Sequence, residues 1–296
     1  MQLPDSAVIT VVGAGQMGAG IAQVCAQSGY SVLLADAALE RAELAKAGIE
    51  KQLTRLTDKG KLTLERRDAT LLRIEPSTAE LAYPRADLVI EAATENRELK
   101  LSLFEQADAL TKPGAILASN TSSISITLLA GRTQRAERVI GMHFMNPVPV
   151  MKLVEIVRGL RTSDETVSTI RALGEKLNKT LIVSQDRPGF LVNRMLIPFL
   201  NEACFALDEG TGSAEDIDQG ARLGLNHPLG PLELADLIGL DTVLAIAQVL
   251  EHDFGDAKYR PPVLLKNLVA AGFLGKKTRR GFYSYDDKGA KVGGAP

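Results

Sequence analysis

The chain has 296 residues, 45% hydrophobic and 24% charged, with 34 Lys and Arg against 36 Asp and Glu for a formal net charge of -2. That size suits a globular protein of about two domains at ~150 residues each. The near-balance of charge excludes a broad basic field for nucleic acid and a polybasic signal for anionic lipid. No stretch approaches the ~18 uncharged apolar residues of a spanning helix, and no secretory or transit segment is read ahead of the first strand. The expectation is a soluble, cytoplasmic protein with neither nucleic-acid nor membrane partners. Cys25 and Cys204 lie far apart in segments that read as buried helix. They read as small apolar fillers rather than a disulfide, as in a reducing compartment.

Ala7 to Val12 is an almost unbroken β-branched run, the pattern of a strand covered on both faces. It leads into Gly13-Ala14-Gly15-Gln16-Met17-Gly18 and an apolar helix, Ala19 to Gln27, closed by Gly29. A second strand, Ser31 to Ala35, ends on Asp36, close to the ~20 residues after the glycines at which an acidic residue is expected. In this context the glycines have separate tasks. Gly13 allows the tight turn, Gly15 lets backbone approach a pyrophosphate, and Gly18 lets helix and strand pack closely. The helix N-terminus offers its N–H groups to the anion. Asp36 accepts from both ribose hydroxyls and repels a 2′-phosphate, so the expected cofactor is NAD rather than NADP.

From Glu40 to Thr70 the pattern is helical and heavily charged, with no strand read until Asp87. Lys51, Arg55, Lys59 and Lys61 form a basic edge around Asp58 and Gly60. Singly they suit a solvated helical hairpin; together they suit the phosphates of a large anionic ligand. Asp87 to Glu91 reads as a buried strand followed by Glu95 and Asn96, and a helix from Lys100 to Leu110 follows. Ile116 to Ser119 is a further strand, ending in Asn120-Thr121-Ser122-Ser123.

Val139 to Met142 and Leu153 to Val157 read as strands on either side of Asn146-Pro147-Val148-Pro149, a cluster whose prolines donate to no ladder. Strand, proline turn and returning strand bring His143 within reach of Glu155. An imidazole held by a carboxylate is the minimum equipment for moving a proton near neutral pH. A satisfied core histidine beside an unrelated glutamate is the bland alternative on this stretch alone. Ligands of an open parallel sheet bind outside the carboxyl ends of its strands. Three successive strand ends carry polar clusters there: Glu95 with Asn96, Asn120 with Ser122, and His143 with Asn146.

A helix from Ser163 to Asn178 and a strand from Thr180 to Ser184 complete this part, and the character changes at Asp186-Arg187-Pro188-Gly189. Residues 1–185 read as a Rossmann-like, doubly wound nucleotide-binding domain, and 186–296 as an all-α domain for substrate binding and dimerisation. Phe190 to Asp208 carries only Arg194 and Glu202 as charges before its last residue, with Asn193 among apolar neighbours and Pro198 set to kink the helix. Further helices are read at Ser213 to Leu223, Gly230 to Ile238, Asp241 to Glu251 and Pro262 to Ala270. So many apolar positions in ~110 residues suggest a face buried on a second subunit, so a homodimer is expected. The histidines are too dispersed for a metal site, and Ser122-Ser123 is not flanked as a nucleophile elbow. His227 and His252, the rival bases, read as structural or exposed.

VVGAGQMGAGIA, IEAATEN, SNTSS, GMHFMNPVPVMKLVE, DRPGFLVNR, NHPLGPLELADLIGLD and GKKTRRGFYSY together span almost the whole chain. In these stretches the sequence resembles the L-3-hydroxyacyl-CoA dehydrogenase family, most closely its short-chain, free-standing bacterial members. The resemblance implies reversible hydride transfer between NAD and C3 of a short-chain (S)-3-hydroxyacyl-CoA thioester. It implies His143 as general acid/base oriented by Glu155, with Ser122 and Asn193 bonding the substrate. It also places Glu95, Lys100, Ser122 and Asn146 around the nicotinamide and its ribose, and Lys59 near the CoA-contacting lysine. One departure is visible: Arg279 stands where the family's tail usually has glycine, which bears on the local turn. Two other readings stay open, a dehydrogenase of a free hydroxy acid on the same scaffold and a non-catalytic NAD-binding protein.

Overall fold

In the computed structural model, which describes residues 2–294, the opening β-branched run forms β1 (Val8–Val12) at the middle of a sheet. The first unit, Met1–Arg187, continues as α1 (Gln16–Gln27), β2 (Ser31–Asp36), α2 (Leu39–Asp58), α3 (Leu64–Leu72), β3 (Ile74–Thr78) and α4 (Ala79–Ala82). Then come β4 (Leu88–Glu91), α5 (Arg97–Leu110), β5 (Ile116–Ser119), α6 (Ile126–Ala130) and β6 (Val139–Phe144). β7 (Leu153–Arg158), α7 (Asp164–Lys176) and β8 (Thr180–Gln185) close the unit.

The eight strands lie in the order β3-β2-β1-β4-β5-β6-β7-β8. β1 to β6 pair in parallel, β7 turns back antiparallel to β6, and β8 runs parallel to β7. The order 3-2-1-4-5-6 is that of doubly wound dinucleotide-binding sheets. Ile9, Val11, Leu34, Leu88, Ile90, Ile140 and Ile156 are all fully enclosed in its core, each worth roughly 1.5–3 kcal/mol over exposure.

Two features of this unit depart from the sequence expectation. β3 is a strand in a stretch that gave no strand signal, because Pro76 interrupts it. It is the outermost strand and pairs only with β2, and a sheet edge is where a proline's missing donor costs least. α5 begins at Arg97, ahead of the expected Lys100, because the Asn96 side chain accepts the Leu99 amide at 2.9 Å and caps the helix.

The second unit, Pro188–Pro296, is built of α8 (Val192–Asp208), α9 (Ala214–Gly224), α10 (Pro231–Ile238), α11 (Leu240–Phe254) and α12 (Val263–Ala270). α8 runs on through Pro198. Its core gathers Ile197, Leu200, Leu232, Leu240, Val243, Leu250 and Phe282. A short hairpin of β9 (Tyr283–Tyr285) and β10 (Lys291–Gly294), absent from the all-α expectation, follows the helices. Buried carboxylates attach it. Asp236 accepts from the amides of Phe282 and Tyr283 and the Tyr285 hydroxyl, each at 2.9 Å. Asp218 accepts from the Leu232 and Glu233 amides and the Tyr283 hydroxyl. Cys25 and Cys204 are buried free thiols, both pushed up to about 12 by burial, which suits inert filling residues. Among the described residues no helix is long and apolar enough to cross a membrane.

Candidate active site

The glycine turn has the geometry a dinucleotide requires. Gly13 adopts φ +106°, and a side chain there would come within 2.6 Å of the Ala92 carbonyl. At Gly18 a Cβ would collide with the carbonyl of Gly13, so helix and turn meet at the closest approach backbone allows. Around Gly15, by contrast, no protein atom lies within 4 Å of where a Cβ would stand. α1 starts without a side-chain cap and without an acidic residue in its first turn, Gln16 and Met17 included, which leaves its amides to an anion. A cavity of about 360 Å³ lined by Gly15, Gln16, Gly20, Gln23 and Asn146 opens beside the turn. The buried Gln23 amide oxygen has no hydrogen-bond partner among the described residues. Asp36, at the end of β2, accepts from the Ala14 amide at 2.8 Å and the Ala37 amide at 2.9 Å. The carboxylate braces the turn it was expected to serve. These features fit NAD.

The next strand ends carry a buried ionic network. Glu91, closing β4, takes the Lys100 ammonium and the Ala93 amide on one oxygen, each at 2.6 Å, and the Ser119 hydroxyl at 2.6 Å on the other. Lys100 is only 1% exposed and also reaches Glu95 at 3.4 Å. Breaking such a pair from one side leaves an uncompensated buried charge, at a cost of about 3–5 kcal/mol. Glu95 in turn accepts from the Thr121 hydroxyl at 2.6 Å, the Ser122 amide at 3.0 Å and hydroxyl at 3.2 Å, and the Ser123 amide and hydroxyl. Burial works to raise the Glu95 carboxyl, but Lys100 and these donors outweigh it and hold it below the usual carboxylate range. Lys100, expected at the cofactor, is thus seated beneath Glu95, while Ser122 is bonded to that same carboxylate.

His143 and Glu155 stand directly opposite each other in the antiparallel β6–β7 ladder. The return strand explains how: β7 runs against β6, so its amino end lies at the carboxyl edge of the parallel strands. His143 Nδ1 is 3.2 Å from Glu155 Oε2, with the residues 7% and 0% exposed. Asn120 accepts the Phe144 amide at 2.9 Å and ties the β5 and β6 ends. Asn146, whose bond to Pro147 is cis, accepts from Gln16 Nε2 at 3.1 Å and links the His143 hairpin to the glycine turn. The three strand-end clusters therefore share one edge of one sheet.

The remaining candidates lie elsewhere. Lys59 is exposed at the C-terminal end of α2. Asn193 is buried in the first turns of α8 in the second unit. Of the rival bases in that unit, His227 stacks on Phe199 at 4.7 Å and His252 sits exposed beside Asp253. No group of three or more His, Cys, Asp or Glu that could hold a metal occurs among the described residues. Glu91 and Ser119 were not singled out from the sequence, although a carboxylate ending an apolar strand is itself a sign that a buried partner is needed.

Residues 8–187 match the family described as 3-hydroxyacyl-CoA dehydrogenase, NAD binding domain, and residues 189–285 match its C-terminal domain. A probable 3-hydroxybutyryl-CoA dehydrogenase of Bacillus subtilis is 51% identical over 280 residues, 95% of this chain and 98% of the relative. The 3-hydroxybutyryl-CoA dehydrogenase of Bradyrhizobium diazoefficiens is 50% identical over 96% of each chain. The crystal structure of (S)-3-hydroxybutyryl-CoA dehydrogenase PaaH1 from Ralstonia eutropha superposes with a TM-score of 0.92 at 50% identity, covering 95% of this chain and 100% of that one. Fold, glycine turn and these likenesses agree: the chain belongs to the 3-hydroxyacyl-CoA dehydrogenase family of NAD-dependent oxidoreductases, and its first unit is the family's NAD-binding domain.

Proposed function

We propose that this protein interconverts a short-chain (S)-3-hydroxyacyl-CoA and its 3-oxoacyl-CoA, with 3-hydroxybutyryl-CoA and acetoacetyl-CoA as the pair, and with His143 as the proton carrier. The observation that carries the reading is the enclosed His143–Glu155 pair on the sheet edge that also holds the glycine turn. The named activity of relatives about half identical over nearly their full length supports the substrate class.

Bound NAD supplies the acceptor or donor of the hydride at C3. In oxidation His143 Nε2 takes the C3 hydroxyl proton; in reduction it returns that proton to the developing alkoxide. Glu155 holds Nδ1–H, fixing the tautomer in which Nε2 is the basic nitrogen, and stabilises the imidazolium. Asn193, and Ser122 once its hydroxyl turns from Glu95, are assigned as donors to the substrate oxygen, a role worth ~2.7–4 kcal/mol per donor in comparable sites. Glu95, Ser122 and Asn146 serve the nicotinamide end of the cofactor, with Lys100 acting through Glu95. Lys59 is assigned to the CoA phosphates, and the second unit to substrate binding and to a homodimer in the cytoplasm.

The test is loss of reduced-nicotinamide absorbance with acetoacetyl-CoA, using NADH and NADPH in parallel and free acetoacetate as control. Consumption of NADH with the thioester alone is the expected result. Turnover of free acetoacetate at a comparable rate would move the assignment to a hydroxy-acid dehydrogenase. Faster turnover with NADPH would remove the role given to Asp36.

A further inference from the structure

The turn between β6 and β7 contains Pro147 and Pro149, which offer no N–H, so its shape depends on what satisfies its carbonyls. The Val150 and Met151 amides both donate back to Pro147 O, at 3.0 and 2.9 Å, which closes the turn on itself. The other partner comes from outside the hairpin. Lys179 donates from Nζ to Val148 O at 2.6 Å and to Met151 O at 2.7 Å.

The topology explains how a residue about thirty positions downstream arrives there. β8 runs parallel to β7, and β7 runs against β6, so the start of β8 lies at the edge of the sheet that carries His143 and the glycine turn. Lys179 immediately precedes β8. Its own amide is fixed to Gly174 O at 3.0 Å, and the next amide, Thr180, donates to Lys152 O at 2.7 Å. Burial lowers the affinity of the ammonium for its proton, and its bonds go to carbonyls rather than to a carboxylate.

On its opposite side the turn rests on α1. Val148 is buried, and a Cβ added at Gly20 would stand 2.8 Å from its Cβ. Asn146 meets Gln16 there through the 3.1 Å bond already described. The turn is held between a lysine and a helix, with Asn146 in the grip.

We propose that Lys179 is a positioning residue for the cofactor: by gathering the carbonyls of Val148 and Met151 it presses the turn onto α1 and holds Asn146 against Gln16 at the glycine turn. The proposal rests on the assignment of Asn146 to NAD. It acts through Asn146, and His143 and Glu155 are held independently by their own strand ladder.

The experiment is a fluorescence titration of NADH into the full-length protein and its K179M, K179R, N146A and K179M/N146A variants, with kcat and thermal unfolding measured alongside. K179M raises the NADH dissociation constant about 10-fold, an effect within the coupling range of residues in contact. Its kcat at saturating NADH stays within about 3-fold of the parent, the pattern of lost binding rather than lost chemistry. K179R recovers most of the affinity, because a guanidinium also donates to two carbonyls. In the N146A background K179M adds less than about 2-fold. Unchanged NADH affinity in K179M overturns the proposal, as does a loss that multiplies with that of N146A, or a fall in melting temperature alone. Should K179M not fold, K179Q, which keeps one donor group, takes its place in the same cycle. Failure of the substrate assignment would appear in the acetoacetyl-CoA assay and leave these titrations untouched.

Discussion

At the scale of single residues, a histidine carries protons usefully only when one nitrogen is pinned and the other is free to work. The 3.2 Å bond from His143 Nδ1 to Glu155 supplies the first condition. H143Q removes the carrier, and positioned acid–base catalysis is worth ~10²–10⁴-fold, so kcat falls by at least that lower figure while NADH affinity stays at its parent value. E155Q, which leaves the imidazole in place but loosens its tautomer, falls between parent and H143Q. Stopped-flow turnover with parallel NADH titration checks both, and near-normal turnover in H143Q would sink the assignment. That His143, Glu155, Glu95, Ser122 and Asn146 lie at one sheet edge could be read from sequence, because each sits at or near the end of an apolar strand. The Glu91–Lys100–Ser119 network could not: its members reach one another across 28 positions, and only side-chain direction in the folded sheet brings them together. Lys100 is buried in that network through its ion pair with Glu91.

Elements were legible wherever apolar periodicity was strong and obscure where one residue type overrode it. The long parallel strands and helices follow their patterns, whereas Pro76 masked β3 and the cap Asn96 passed as part of a ligand cluster. The tail turn shows a local rule broken within an otherwise consistent element. Arg279 adopts φ +60°, the left-handed conformation in which a glycine is at ease, and pairs with Asp287 in the turn between β9 and β10. Comparing R279G with R279A removes the surface ion pair from both. Glycine is then the more stable by about 1 kcal/mol, seen as a higher urea midpoint, because only alanine retains the left-handed penalty. A reversed order would mean that the turn relaxes when the side chain shortens. The same hairpin carries a pH dependence. Burial pushes the Asp236 carboxyl up to about 6, against the amides of Phe282 and Tyr283 and the Tyr285 hydroxyl, which favour its ion. A carboxyl raised in the folded state binds its proton more readily than in the unfolded chain. Its contribution to stability is therefore full below about pH 4 and lost as pH rises through about 6, in all about 3 kcal/mol. The gap in unfolding free energy between the parent and D236N should widen from pH 7.5 to pH 4.5; a constant gap in urea titrations at the two pH values would contradict this.

At the scale of the whole molecule, the sequence reading divided the chain after residue 185, and the compact units divide after Arg187. Subunit association, in contrast, leaves no periodic trace in a sequence, because a helix face that meets solvent and one that meets a second copy differ only by a few side chains. The second unit exposes several such residues: Leu223 is 78% exposed, and Met195, Leu225 and Val263 are each 63% exposed. Single exposed apolar residues are ordinary on any protein, and the first unit exposes its own, Leu72 and Leu160 among them; what favours association is the small net charge, which sets little repulsion against a second copy. Homodimers commonly cover such faces through a two-fold axis, where each patch meets its own equivalent. Sedimentation equilibrium at micromolar concentration is expected to return twice the chain mass. L223E and L225E together place two charges on a face that must be desolvated on association, which shifts the equilibrium toward monomer. A parent protein that sediments as a monomer overturns the dimer. A parent dimer that the double variant leaves intact keeps the dimer but moves its interface away from the end of α9.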